Sequence, residues 1–74
     1  MNTALIGLIK QSLKNGGKEV VVRPGTNKRL WEVLVMDRNY VYLSYIVGKE
    51  NATFFFDLFE FLRENRTPVK ISYQ

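Results

Sequence analysis

The sequence predicts an α+β domain with two layers and the element order α-β-β-β-α-β. Its sheet is mixed and mostly antiparallel, with four strands and the helices on one face. Three observations lead there. Residues 3–14 and 52–64 repeat apolar side chains at spacings of three and four, the period of a helix with one buried side. Residues 19–23, 29–36 and 40–47 are rich in Val, Tyr and other residues that suit a pleated surface, and turn residues separate them. A last apolar run, residues 69–73, follows Pro68, which cannot continue a helix. The 74 residues form a single domain, 1–74, and 46% of them are hydrophobic. A chain of this size buries roughly 60% of its unfolded surface, enough for one core.

In the first helix Leu5, Leu8, Ile9 and Ser12 share a side, with Ile6 and Leu13 at its margin and Lys10 and Lys14 pointing away. Asn2 or Thr3 can cap its start. Asn15-Gly16-Gly17 supplies the left-handed residue that ends a helix at little cost. The strand at 19–23 is identified by its β-branched residues, and Pro24-Gly25-Thr26-Asn27 is a turn by composition.

The next two strands form a hairpin, and its loop length decides which side chains share a face. A three-residue loop, Asp37-Arg38-Asn39, sets Met36 opposite Tyr40. One face is then Trp31, Val33, Val35, Val41, Leu43, Tyr45 and Val47. The other is Leu30, Glu32, Leu34, Met36, Tyr40, Tyr42, Ser44 and Ile46. A two-residue loop mixes the sets, so the three-residue loop is expected.

The run Phe54-Phe55-Phe56 could belong to a buried strand. However, Asp57, Glu60 and Glu64 recur at helical spacing opposite Phe55, Leu58, Phe59 and Leu62, which makes an amphipathic helix capped by Asn51 or Thr53. Arg63 and Arg66 suit its C-terminal dipole. The final strand sets Val69, Ile71 and Tyr73 on one face. It runs parallel to the first and third strands after a right-handed crossover. The strand order is 4-1-2-3 or 1-2-3-4.

Composition removes much chemistry. The chain has no Cys and no His, hence no disulfide, thiolate nucleophile, imidazole base or Cys/His metal site. Gly16-Gly17-Lys18 lacks the spacing of a phosphate-binding loop, and no Ser has a His partner or a Ser-x-x-Lys context. The Asp57, Glu60 and Glu64 ridge reads as a solvated helix face. No catalytic activity, cofactor or metal is expected. The segment MNTALIGLIK has no basic leader before its apolar stretch, so no signal peptide is expected and the location reads as cytoplasmic. The first helix has only two lysines on its polar face and no aromatic anchor, so membrane binding is not expected.

The net charge of +4 is unevenly placed. Residues 1–29 hold six basic residues against Glu19 alone, whereas the remainder holds five basic against six acidic residues. Two binding surfaces follow. The leading one is the uncovered sheet face, with Leu34, Met36, Tyr40, Tyr42 and Ile46 flanked by Val21 and Arg23. Apolar and Tyr side chains together on an open sheet suit contact with a protein partner or a second copy of the chain. The expected function is therefore a small, non-catalytic binding module, a regulator or inhibitor. The alternative is nucleic acid, held by Arg23, Lys28, Arg29 and Lys18 around the 23–29 loop with the sheet tyrosines stacking on bases.

Overall fold

The computed structural model describes residues 2–72. Its elements are α1 (Asn2–Lys14), β1 (Glu19–Pro24), β2 (Leu30–Asp37), β3 (Tyr40–Gly48), α2 (Ala52–Glu64) and β4 (Val69–Ile71). The four strands form one mixed sheet in the order β3-β2-β1-β4. The two antiparallel pairs are β1 with β2 and β2 with β3, and β4 lies parallel to β1. This is the 4-1-2-3 order of the two left open by the sequence. Both helices pack on the same side of the sheet. Leu5 and Ile9 of α1 and Phe54, Leu58 and Leu62 of α2 share one core with Val20, Val22, Val33, Val35 and Val47. Fully burying each large apolar side chain is worth roughly 1.5–3 kcal/mol. The opposite face of the sheet carries no helix.

The helix ends follow one pattern. After α1 the amide of Gly17 donates to the Ser12 carbonyl and that of Gly16 to Leu13. After α2 the amide of Thr67 donates to Leu62 and that of Arg66 to Arg63. Both are Schellman closures, which need a positive φ at the first residue past the cap. Gly16 supplies it at 135°, but at the equivalent place after α2 Arg66 takes φ 53°. A side chain in that region costs about 1–2 kcal/mol, partly offset because glycine would leave the unfolded chain freer. Arg66→Gly should therefore raise stability by about 0.5–1 kcal/mol, read as a higher urea midpoint at unchanged slope. A fall in the midpoint would mean that the Arg66 side chain holds something in place.

The start of α2 is capped by Asn51, whose Oδ1 accepts the Phe54 amide at 3.2 Å. Thr53 lies inside the helix. α1 already includes Asn2 and Thr3, so neither precedes it as a cap, and position 1 lies outside the described residues. Tyr73, expected on the last strand, also lies outside them.

Three expectations need correction. Leu8, expected on the buried side of α1, is 50% exposed, because the helix aims Leu5 and Ile9 at the sheet and turns the Leu8 edge outward. In α2 the fully buried phenylalanine is Phe54, whereas Phe59 stands partly in water and Phe56 is 69% exposed. The contact line is Phe54, Leu58 and Leu62, a spacing of four; of the expected Phe55, Leu58, Phe59 and Leu62, the two leucines are core, Phe55 is only partly buried against it and Phe59 lies outside it. The third correction concerns the hairpin. Its loop is two residues, Arg38 and Asn39, with Asp37 opposite Tyr40 and Arg38 at φ 57°. A β-bulge then intervenes: Met36 faces Val41, but Val35 faces Leu43. Tyr42 is the extra residue. The bulge absorbs the offset that the short loop imposes, so Leu43, Tyr45 and Val47 still share a face with Val35, Val33 and Trp31. The expected face therefore holds from residue 43 onward and fails before it.

Candidate functional site

The bulge decides the composition of the helix-free face. Partners across a ladder point to the same side, so Val21 stands beside Leu34, Arg23 beside Glu32, Ile46 beside Glu32, and Val41 beside Met36. Leu34, Met36, Ile46 and Arg23 are where the sequence placed them. Tyr40 and Tyr42 are not. Tyr42 packs against the helix-side core with its ring over Gly16, where any added Cβ would collide with the hydroxyl. Tyr40 stands edge-on to Tyr42, with ring centroids 4.6 Å apart. Val41 takes their place on the open face, an exchange that no period-two reading of an unbulged strand can find.

The resulting surface is an apolar patch of Val21, Leu34, Met36, Val41 and Ile46, bordered by Glu19 beside Met36, Lys70 beside Val21, Ser44 beside Leu34 and the Arg23–Glu32 pair. Leu34 is nearly closed off by its neighbours, while Val41 and Ile46 stand well into solvent. Next to them the Glu32 carboxylate accepts from Arg23 Nε at 2.7 Å and from Ser44 Oγ at 2.9 Å. The hydrogen bond from Arg23, then that from Ser44, hold the Glu32 carboxyl below its ordinary value of 4.5, with the Arg23 charge adding to them against partial burial. The folded-state pKa is thus the lower one. The contribution is present above pH 4.5 and is lost as pH falls through the depressed folded value. Because half of the Arg23 side chain is exposed to solvent, the pair is worth at most about 1 kcal/mol. Glu32→Gln should cost up to that amount at neutral pH, and the gap to the parent should close in acid. A gap independent of pH in paired urea titrations would contradict this origin.

The basic residues of the alternative reading do not all meet. Arg23 is engaged with Glu32 on the open face. Lys18 directly precedes β1 at its opposite end, about 20 Å along the strand from Pro24 at the usual rise, where its amide donates to Met36. Lys28 and Arg29 remain, and the structure adds Lys49. The Lys49 amide donates to the Arg29 carbonyl at 2.9 Å, and the Lys49 ammonium sits 4.6 Å over the Trp31 ring. Lys28, Arg29, Lys49 and Glu50 line one shallow depression at this end of the sheet. Asn27 shapes the loop by accepting the Arg29 amide on its side chain. Lys49 escaped the sequence reading because only the hairpin ladder brings residue 49 beside residue 29.

A second apolar concavity lies on the helix side, lined by Val22, Trp31, Phe55, Phe59 and Ile71. Trp31 meets Phe55 edge-on at 6.4 Å. The sequence signal for it was the triple phenylalanine, since consecutive helical positions cannot all face one core. Among the described residues no group of three acidic side chains could hold a metal ion, and no helix is long and apolar enough to cross a membrane. No protein-family profile, curated protein or solved structure matches the chain.

Proposed function

We propose that this chain is a non-catalytic binding module, a regulator or inhibitor, that recognises a protein partner through the helix-free face of its sheet. One observation carries the reading: Val21, Leu34, Met36, Val41 and Ile46 form an apolar patch on the face opposite both helices. Such a patch rimmed by the Arg23 and Glu32 pair, Glu19 and Lys70 fits the core-and-rim pattern of a protein interface, with the rim charges setting the register of the partner. The test is affinity capture from the native host with the parent and Met36→Glu in parallel. Met36 lies on an inner strand, half-buried, with its side chain on the open face. A protein held by the parent and lost by the folded variant supports the reading. The same protein held equally by both contradicts it.

The second reading, nucleic acid, is favoured by the convergence of Lys28, Arg29 and Lys49 at one end of the sheet. Two or three phosphate contacts there would give binding whose log–log salt slope is about −2 on single strands. Lys28→Glu with Arg29→Glu would abolish it. Absence of oligonucleotide binding at low salt would end this reading.

A further inference from the structure

The two free edges of the sheet are built differently. β4 has three residues, Val69-Lys70-Ile71, directly after Pro68. Shortness, a lysine and a proline are the usual means by which an edge is kept from pairing with another chain. β3 has nine residues, Tyr40 to Gly48, with no charge and no proline. Its one protective device is the bulge at Tyr42, and this leaves residues 43–48 in regular pairing with β2.

The direction of its free groups follows from the ladder. Lys49 and Arg29 continue the register of the β2–β3 pair, and the Lys49 amide donates to the Arg29 carbonyl. Hydrogen-bonded and open pairs alternate in an antiparallel ladder. Residues 43, 45 and 47 therefore spend their backbone groups on β2, and those of Ser44 and Ile46 turn outward, while the Gly48 carbonyl accepts the Asn51 amide. Another extended strand matches such a row of alternating donors and acceptors.

We infer that the β3 edge pairs antiparallel with the β3 edge of a second copy of this chain, about a two-fold axis within residues 44–46. The result is a continuous eight-stranded sheet. Three observations favour a second copy. The strand is uncharged along its length, so antiparallel self-pairing opposes no like charges. Pairing β3 to the β4 edge of another copy would propagate without closing, and Pro68 and Lys70 guard that edge, whereas β3 on β3 closes as a dimer. Pairing along this short stretch of strand makes a contact at the small end of the range for specific interfaces. The dimer is therefore reversible. Tyr45, 44% exposed on the helix side, falls close to its partner-chain equivalent, and Ile46 does so on the open face. This inference does not depend on the open-face reading, although pairing would join two open faces into one surface.

The test is sedimentation equilibrium from about 1 μM to about 1 mM, the range in which so small an interface dissociates, with amide exchange followed by NMR across the same range. The mass should rise towards twice the 8.7 kDa of the chain, and the Ser44 and Ile46 amides should exchange more slowly as it does. Tyr45→Lys, which leaves the open face untouched, should hold the mass at one chain while circular dichroism shows the parental fold. Tyr45→Phe should still dimerise. A single-chain mass throughout would overturn the inference. So would dimerisation that Tyr45→Lys leaves intact and Met36→Glu abolishes, since the open face would then be the contact. Loss of partner capture by Met36→Glu with the mass still doubling separates the two surfaces.

Discussion

Phe54→Ala should lower stability by about 3–5 kcal/mol, the range for removing a fully buried phenylalanine. Its ring is wholly buried and reaches the sheet core from the first turn of α2. A chain of 74 residues has only about 4–11 kcal/mol in total at usual per-residue values. The variant should therefore be partly or wholly unfolded at room temperature. Phe56→Ala, two residues along and mostly in water, should change stability by less than about 0.5 kcal/mol. Urea unfolding of both variants measures the contrast. Equal losses would mean that α2 is rotated from the orientation described.

Tyr42→Glu should cost about 2–3 kcal/mol, through lost ring packing and a carboxylate pressed into a partly buried site. The position is worse for an anion than burial alone implies. Tyr42 packs over Gly16 at the end of α1, where the C-terminal end of the helix dipole gives partial negative charge. For a domain of this size, that loss lowers the melting temperature by about 10 °C or more. Tyr40→Glu, with its ring 64% exposed, should be tolerated. A Tyr42→Glu protein as stable as the parent would put that ring in solvent and return it to the open face.

These two residues also show how much was legible beforehand. Element order, the all-but-complete strand boundaries and the shared helix face could be read from residue spacing, because apolar period and turn residues are local properties. The hairpin was legible only in part. A clean apolar face was the right criterion for Trp31, Val33 and Val35 against Leu43, Tyr45 and Val47. It was met by a short loop with a bulge and not by a longer loop, because Arg38 accepts a positive φ. Tyr40, Val41 and Tyr42, on the loop side of that bulge or in it, were therefore assigned to the wrong faces. In α2, the acidic spacing identified the helix but not its rotation, since phenylalanines at 54, 55, 56, 59 and 61 leave several apolar stripes of similar strength. The core contact of Phe54, Leu58 and Leu62 is set by what the sheet offers. Lys49 joining Lys28 and Arg29 is a tertiary fact, invisible without the ladder.

The side chains that occupy the helix-free face decide what that face can bind, and one measurement identifies them directly. In a NOESY spectrum of the labelled protein, the ring protons of Tyr42 should show cross-peaks to the α-protons of Gly16, while Val41 methyl protons should reach Met36. Cross-peaks from the Tyr42 ring to Leu34 and Met36 side chains, with none to Gly16, would place the tyrosines on the open face and contradict the bulged register and the apolar patch built on it.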